Sequence, residues 1–253
     1  MGASRGIGRT TALMLAREGA ALLLVARDEA VLGEVAQECR DAGRRAETAA
    51  LDVTSPDAGE RVLERCLTRL GRIDALVNNA GTSAVKTVDQ LTDEDWQAQW
   101  ELHVMAPMRL MRAAAPAMAE RGWGRIVNVS SSSGKRPSRA NMAYSVTKAA
   151  ELSLSRAFAE LYATRGVAIN AVAPGPTGTE LWLAPGGLAD QNAQARGISR
   201  EEALEVAVAH VPRGRLATEQ DIAAVIVFLC SELASNVVGA AWSVDGGTVP
   251  VII

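Results

Sequence analysis

The stretch from Ile126 to Lys148, IVNVSSSSGKRPSRANMAYSVTK, most constrains what this chain can fold into. It begins with an apolar, β-branched run that is typical of a strand, and it continues through a serine run into a loop with glycine and proline. A helical pattern that contains Tyr144 and Lys148 follows. Because positions i and i+4 of a helix lie on one face, these two side chains are predicted to be neighbours.

This neighbourhood would give a phenol an unusual chemistry. A free phenol titrates near pH 10 and is a poor base at neutral pH, but a nearby fixed positive charge favours the phenolate. Lys148 would therefore make Tyr144 usable as a proton donor or acceptor. Ser131 lies thirteen residues before Tyr144, and the path from strand through loop to helix can bring its hydroxyl back beside the phenol. There it could hold a carbonyl or alcohol oxygen.

Glycine-containing motifs occur at two earlier points of the chain. Residues 1–8, MGASRGIG, carry Gly-x-x-x-Gly-x-Gly ahead of a helix predicted over 7–17. Glycines there allow a tight turn and a close backbone approach to a pyrophosphate at the helix N-terminus. Asn78-Asn79-Ala80-Gly81 follows a strand predicted over 73–77. Asparagines tolerate unusual backbone angles, and Gly81 leaves room for a ribose.

In order and spacing, the glycine motif, the Asn-Asn-Ala-Gly tetrad and Tyr-x-x-x-Lys resemble the short-chain dehydrogenase/reductase family, and within it the 3-oxoacyl-acyl-carrier-protein reductases. The resemblance covers nearly the whole chain. It implies an α/β fold with a Rossmann-type, doubly wound parallel sheet flanked by helices, formed as one domain over residues 1–253. The implied reaction is reversible hydride transfer between a nicotinamide dinucleotide and a carbonyl or secondary alcohol.

The resemblance also implies roles for individual residues. Tyr144 would be the general acid or base, Ser131 the oxygen anchor, and Lys148 the group that favours the phenolate and binds the ribose. An alternative from another class is a dinucleotide-sensing protein without turnover, which would have no need for this proton-transfer set. The implied cofactor-binding residues are Gly2, Ser4, Arg5, Gly6, Ile7, Gly8, Arg27, Asp52, Val53, Asn79, Ala80, Gly81, Tyr144, Lys148, Pro174, Gly175, Thr177 and Thr179.

The resemblance also implies what two of these segments would contact. Asp52-Val53 would flank the adenine, although Asp52 could equally be a turn residue. The run from Pro174 to Thr179 matches the family's Pro-Gly-x-x-x-Thr, in which Thr179 is expected to reach the nicotinamide carboxamide or the cofactor phosphates.

The tip of the strand predicted over 21–26 bears on the choice of dinucleotide. Ala26 and Arg27 stand there, with Arg5 inside the glycine turn, and there is no carboxylate for a ribose 2′-hydroxyl. Guanidinium groups bind phosphate oxygens in a forked geometry, which favours NADP(H) over NAD(H). The alternatives are two solvated surface arginines and an NAD-linked alcohol dehydrogenase.

The glycine motif should follow a strand, but nothing precedes Met1 in this sequence. The resemblance places that strand in the centre of a seven-stranded sheet. Its absence would leave two neighbouring strands with unmatched ladder groups and would empty core volume. We expect that a natural segment of about 5–12 residues, the length of a strand, is missing ahead of Met1. The alternative is an authentic Met1 in an adapted fold.

One long helix is predicted over 93–118, bent at Pro107. His103 lies in it where family members usually carry an asparagine that holds a water for proton relay. A histidine could keep the backbone contact and add a group that titrates near pH 6.5. The alternative is a hydrogen-bonded core histidine without a role in turnover.

A substrate lid is predicted at about 178–212, because glycines and prolines flank an apolar Leu-Trp-Leu segment and an amphipathic helix follows. Apolar residues on more than one face of the helix over 146–162, together with the apolar 249–253, predict a homodimer or homotetramer. The substrate is expected to be a small carbonyl or alcohol.

Composition excludes several classes. A chain of 253 residues that is 48% hydrophobic can bury the core of one domain, and a net charge of −3 offers no basic surface for nucleic acid. No apolar run approaches the ~18–20 residues of a membrane span, and there is no secretory leader, so a cytoplasmic protein is predicted. Three scattered cysteines and two histidines predict no metal site.

Overall fold

A computed structural model describes residues 1–250 of the chain. One or more helices follow each of the first five strands, and every ladder between strands is parallel, which is typical of a parallel α/β fold. The elements follow as α1 (Gly6–Arg17), β1 (Leu22–Ala26), α2 (Glu29–Asp41), β2 (Ala46–Ala50), α3 (Ala58–Leu70), β3 (Ala75–Asn78), a 3₁₀ turn (Val88–Gln90), α4 (Asp93–Trp100), a π-helical turn (Glu101–Met105), α5 (Ala106–Glu120), β4 (Gly124–Val129), α6 (Ser132–Lys135), α7 (Met142–Tyr162), a 3₁₀ turn (Ala163–Arg165), β5 (Val167–Pro174), α8 (Glu180–Leu183), α9 (Leu188–Arg196), α10 (Arg200–Ala209), α11 (Glu219–Cys230), a 3₁₀ turn (Glu232–Ala234) and β6 (Ala241–Val244).

The two central strands are buried on both faces. Every residue of β4 and β5 is buried, because helices cover both sides of the sheet. Alternate side chains of β4 show the two layers: Ile126 joins a core with α3 and α5, while Val127 joins another core with α11. The predicted doubly wound parallel α/β fold is therefore confirmed.

The strands form two parallel sheets, one with the order β2-β1 and one with the order β3-β4-β5-β6. Within residues 1–250 no ladder pairs β1 with β3, and an apolar cavity of about 360 Å³ lies between their facing edges. Leu22, Leu24 and Leu76 are among its lining residues. The cavity and the missing ladder between β1 and β3 divide the strands of the described part into two sheets.

The N-terminal residues connect the two sheets at one end of this cavity. The amino group of Met1 donates to Val77 O at 2.8 Å, while Gly2 N and Ala3 N donate to Val25 O at 2.8 and 3.2 Å. Burial lowers the pKa of the Met1 amino group to about 5. The start of the glycine turn is therefore fixed by backbone bonds to both sheets.

A helical segment runs without a break from Asp93 to Glu120, as the sequence predicts, but its hydrogen-bonding pattern changes within it. α4 ends at Trp100, a π-helical turn follows directly, and α5 begins at Ala106, just before Pro107. Proline has no N–H to donate back to the preceding turn. The chain changes its hydrogen-bonding period just before Pro107, with Ala106 N bonded to Glu101 O. This wider helical turn places His103 and Val104 in the core.

The segment predicted as a lid contains three short helices, α8, α9 and α10, separated by glycine-containing turns. Some apolar side chains outside the core are exposed, among them Val146 (43%) and Leu161 (66%) on α7 and Trp100 (41%) on α4. The last three of the apolar residues 249–253 lie outside the described part.

No helix in residues 1–250 has both the length and the apolar character needed to cross a membrane. In the same part of the chain no three His, Cys, Asp or Glu side chains are grouped so that they could hold a metal ion. The cysteines at 39, 66 and 230 are free thiols.

Candidate active site

Tyr144 and Lys148 lie one helical turn apart near the start of α7. The Nζ atom of Lys148 is 5.8 Å from the centroid of the Tyr144 ring, so the two side chains share a face as their spacing predicts. Lys148 is only 3% exposed, and its ammonium donates to Val129 O, at the end of β4, at 2.8 Å. The charge is thereby fixed beside the phenol rather than left in solvent.

Ser131 follows directly after β4 and is the N-cap of the short helix α6. Its Oγ accepts a hydrogen bond from Ser133 N at 3.0 Å, which orients the hydroxyl. The neighbouring Ser130 donates from Oγ to Lys148 O at 2.8 Å. This bond ties the end of β4 to the backbone of α7 and keeps the serine turn beside Tyr144 and Lys148.

A cavity of about 180 Å³ lies at the carboxyl ends of β3, β4 and β5, where parallel α/β sheets bind ligands. It brings together ten of the predicted site residues: Ile7, Asn79, Gly81, Ser131, Tyr144, Lys148, Pro174, Gly175, Thr177 and Thr179. Leu181, Trp182 and Leu188, from the predicted lid, form an apolar part of its wall. The other predicted residues, Gly2, Ser4, Arg5, Gly6, Gly8, Arg27, Asp52, Val53, Ala80 and His103, do not line this cavity.

The glycine turn leads from the N-terminus into α1. Gly2 and Gly6 have φ values of +66° and +58°, a region that favours glycine. A Cβ atom on Gly8 would lie 2.0 Å from Gly2 O and 2.5 Å from Asn79 Nδ2. Asn79 in turn donates from Nδ2 to Met1 O and Gly2 O at 3.3 and 3.2 Å. The tetrad after β3 therefore holds the turn in place.

The N-terminus of α1 fits a dinucleotide phosphate. The first N–H groups of a helix have no partner within it, and the first turn of α1 contains no acidic side chain to compete for them. A Cβ on Gly6 would be in contact with Thr179, across the turn, at 3.7 Å. Glycine backbone, helix terminus and Thr179 thus form a concave wall that suits a pyrophosphate.

The residues proposed to choose the dinucleotide lie further out. Arg27 and Asp28 are exposed after β1, and Asp28 caps α2 by accepting from Val31 N, as the sequence predicts. Asp52 accepts from the N and Oγ1 of Thr54 at 2.9 and 2.8 Å, which is the turn role left open in the sequence. These bonds lower its pKa, as does the nearby charge of Arg27. Arg5 is exposed and pairs with Glu180 at 3.5 Å.

His103 is fully buried behind Tyr144, and its ring meets the phenol edge-on with centroids 5.2 Å apart. Its Nε2 accepts from Thr82 N at 3.3 Å, so Nδ1 carries the proton and donates to Thr147 Oγ1 at 3.1 Å. Burial and the charge of Lys148 lower the pKa of His103 to about 2. The burial of His103, which the sequence does not reveal, disfavours a charged imidazolium and favours the alternative of a hydrogen-bonded core histidine.

Two residues that the sequence does not single out contact Lys148. Glu151 accepts from its Nζ, and Ser130 bonds its backbone carbonyl. The spacing of three residues on one helix is a signal that points to Glu151. No sequence signal separates Ser130 from the three serines that follow it.

The chain matches the family model described as "short chain dehydrogenase" over residues 1–184. The chain belongs to the short-chain dehydrogenase family. This short-chain dehydrogenase is 35% identical to the 3-oxoacyl-[acyl-carrier-protein] reductase FabG of Escherichia coli, over 97% of this chain and 94% of the relative. It is 37% identical to the cis-4-hydroxycyclohexanecarboxylate dehydrogenase of Sinomonas cyclohexanicum, over 97% and 93%.

A solved structure extends the comparison. The L-sorbose reductase of Gluconobacter frateurii, in complex with NADPH and L-sorbose, superposes with a TM-score of 0.92 at 36% identity and covers 99% of this chain and 95% of its own. The family match and these relatives show that this short-chain dehydrogenase is an NAD(P)-dependent oxidoreductase that acts on CH–OH and C=O groups.

Proposed function

We propose that this enzyme transfers a hydride reversibly between NADP(H) and a small carbonyl compound or secondary alcohol by a Ser-Tyr-Lys mechanism. The observation that carries the proposal is that Ser131, Tyr144 and Lys148 line one cavity, with the ammonium 5.8 Å from the centre of the phenol ring. A dinucleotide sensor without turnover would not need this arrangement.

In this mechanism Tyr144 holds and moves the proton. Its hydroxyl donates to the carbonyl oxygen during reduction, and its phenolate takes the proton back from the alcohol during oxidation. Ser131, oriented by Ser133 N, fixes the same oxygen by a second hydrogen bond. Lys148 favours the phenolate through its charge, since an adjacent cation stabilises an anion in a buried place. When bound, the dinucleotide supplies or accepts the hydride.

The dinucleotide would be held from the glycine turn to the lid. The glycine turn and α1 would take the pyrophosphate, with Gly2, Ser4, Gly6, Ile7 and Gly8 contributing. The adenine, ribose and nicotinamide contacts would come from Asp52, Val53, Asn79, Ala80, Gly81, Tyr144, Lys148, Pro174, Gly175, Thr177 and Thr179. The exposed guanidinium groups of Arg5 and Arg27 would bind a 2′-phosphate, and the NADPH in the L-sorbose reductase complex supports this choice.

His103 would act by position. Because its ring is neutral and bonded on both nitrogens, it would fix Thr147 and the edge of the Tyr144 ring.

The substrate would enter against the lid. Leu181, Trp182 and Leu188 form an apolar wall opposite the serine and the phenol, which suits a small molecule with an apolar part beside its carbonyl. By their names, the relatives act on substrates as different as a 3-oxoacyl-[acyl-carrier-protein], cis-4-hydroxycyclohexanecarboxylate and L-sorbose. A panel of carbonyl compounds, assayed by loss of NADPH absorbance, would identify the class.

We also propose one domain over 1–253 and a homodimer or homotetramer. The half-exposed Trp100 and Val146, on neighbouring helices, support a subunit contact. A cytoplasmic location stays a prediction from the sequence.

Tyr144→Phe tests the mechanism. Loss of the hydroxyl should lower kcat/KM with NADPH by about 10²–10⁴-fold, the usual contribution of a positioned acid or base, and should leave NADPH affinity within a few-fold. Tyr162, the other tyrosine of the chain, provides the matched control: Tyr162→Phe should retain turnover. Retained turnover in Tyr144→Phe would refute the assignment, and a preference for NADH over NADPH in the unchanged enzyme would refute the cofactor choice.

A further inference from the structure

Glu151 is a buried carboxyl group in direct contact with the ammonium beside the phenol. Its side chain is 2% exposed, and its Oε2 accepts from Lys148 Nζ at 2.8 Å. Lys148 donates a second hydrogen bond to Val129 O. Because an ammonium has three donors, one N–H remains for the cavity that Lys148 lines. The direction of that N–H is set by the other two bonds.

Lys148 and Glu151 are buried, and burial destabilises the charged form of an ionisable group. Burial raises the pKa of Glu151 to about 7, and the charge and hydrogen bond of Lys148 act against this rise. A carboxylate there balances the positive charge that Tyr144 experiences, while a neutral carboxyl group leaves it unbalanced.

Few other titratable groups face the pair. Tyr144 shares its helix, and His103 on the π-helical turn stays neutral because its pKa is about 2. The charged side chains on other elements packed against α7 have other partners or are exposed. Three ion pairs account for Arg109 with Glu101, Asp95 with Lys86, and Arg125 with Glu232. Lys135 donates to Ala241 O and Ser243, Arg165 lies over the Tyr162 ring, and Asp93, Glu94 and Arg112 are exposed. Glu151 is therefore the group that can alter the charge beside Tyr144.

We propose that Glu151 is a positioning residue for Lys148, whose carboxylate fixes the ammonium beside Tyr144 and sets how much positive charge the phenol experiences. The ionisation of Tyr144 then follows the charge of Glu151. The inference rests on the proposed function for its consequence in turnover, but the charge coupling itself can be measured without dinucleotide or substrate.

The test uses the small number of tyrosines in the chain. In a Tyr162→Phe background Tyr144 is the sole tyrosine, so near-ultraviolet absorbance reports phenolate formation at one site. Glu151→Gln keeps the shape and the acceptor oxygen but removes the charge. The midpoint of phenolate formation should move to lower pH by roughly one unit, the size expected for one charge acting across about two helical turns at intermediate dielectric.

Kinetics give a second reading. The acidic limb of the pH profile for alcohol oxidation should move in the same direction in Glu151→Gln, because the phenolate is the base. Glu151→Asp keeps the charge and withdraws it by one methylene, so it should restore most of the parent profile and show a smaller shift of the same sign.

The outcomes separate this inference from the proposed function. A folded Glu151→Gln whose phenolate midpoint is unmoved, or moves to higher pH, overturns the coupling even if the Ser-Tyr-Lys mechanism holds. A shifted midpoint together with full turnover in Tyr144→Phe supports the coupling and overturns the proposed function. If Glu151→Gln does not fold, by circular dichroism, an unshifted midpoint in Glu151→Asp overturns the inference.

Discussion

Gly8 packs so closely against the N-terminal turn that there is no room for a side chain. A Cβ atom on Gly8 would lie 2.0 Å from Gly2 O, about 1 Å inside the closest approach that real Cβ atoms make to other heavy atoms, and 2.5 Å from Asn79 Nδ2. Both neighbours are held by other bonds, and the near one is backbone. Gly8→Ala therefore requires the whole turn to move.

The cost follows from the bonds that hold the turn. Gly2 N and Ala3 N donate to Val25 O, and Asn79 Nδ2 donates to Met1 O and Gly2 O. Loss of two or three such bonds, at about 1 kcal/mol each, is offset by about 1 kcal/mol from the better helix propensity of alanine. We expect the free energy of unfolding to fall by about 1–2 kcal/mol. NADPH affinity should fall at least about tenfold, since a displaced turn no longer fits a pyrophosphate.

Urea unfolding and a fluorescence titration with NADPH would measure these two quantities. Gly33→Ala is the matched control, because Gly33 lies in the middle of α2 and a Cβ there meets nothing within 4 Å. It should raise the free energy of unfolding by roughly 0.5–1 kcal/mol and leave NADPH affinity unchanged. If Gly8→Ala behaved like this control, the close approach of the turn to α1 could not be part of a dinucleotide site.

Two further predictions concern buried polar groups. Among residues 1–250, Thr11 Oγ1 finds no hydrogen-bond partner, and Thr11 lines the cavity between β1 and β3. Thr11→Val should therefore raise the free energy of unfolding, measured in urea, by about 1 kcal/mol, and a loss of stability would contradict this. The pKa of His103 is lowered from 6.5 to about 2, so between these values the unfolded chain binds one proton more than the fold, and stability should decrease as the pH falls below 6.5. In urea unfolding at several pH values, His103→Asn should remove up to about 1.4 kcal/mol per pH unit from that slope, and an unchanged slope would show that His103 is not buried and neutral.

Strongly periodic segments made much of the fold predictable. The apolar runs that end at Ala26 and Val129 are strands within one or two residues of their expected limits, because a strand buried on both faces needs such a run. The π-helical turn before Pro107 was not predictable from periodicity. A change from four to five residues per hydrogen bond moves the apolar pattern too little to be read in a sequence.

The candidate site was also predictable only in part from the sequence. Spacing alone predicts that Tyr144 and Lys148 are neighbours, because both lie on one helix. What surrounds them depends on how other elements pack on that helix. His103 is neutral because the π-helical turn that contains it buries its ring. The contact of Glu151 with Lys148 affects the charge beside Tyr144 because both side chains are shielded from solvent. Chemistry that rests on desolvation is therefore the part of the site that only the structure gives.

The division of the sheet gives the glycine turn a particular mechanical position. Within residues 1–250, the turn is held by the bonds from Met1, Gly2 and Ala3 to β3 and β1 and by Asn79. The same few bonds therefore join the two sheets and shape the proposed pyrophosphate site. A ligand that bridges the turn and Thr179 would add contacts across this junction, and the stability of the sheet pair and the affinity for dinucleotide should rise and fall together.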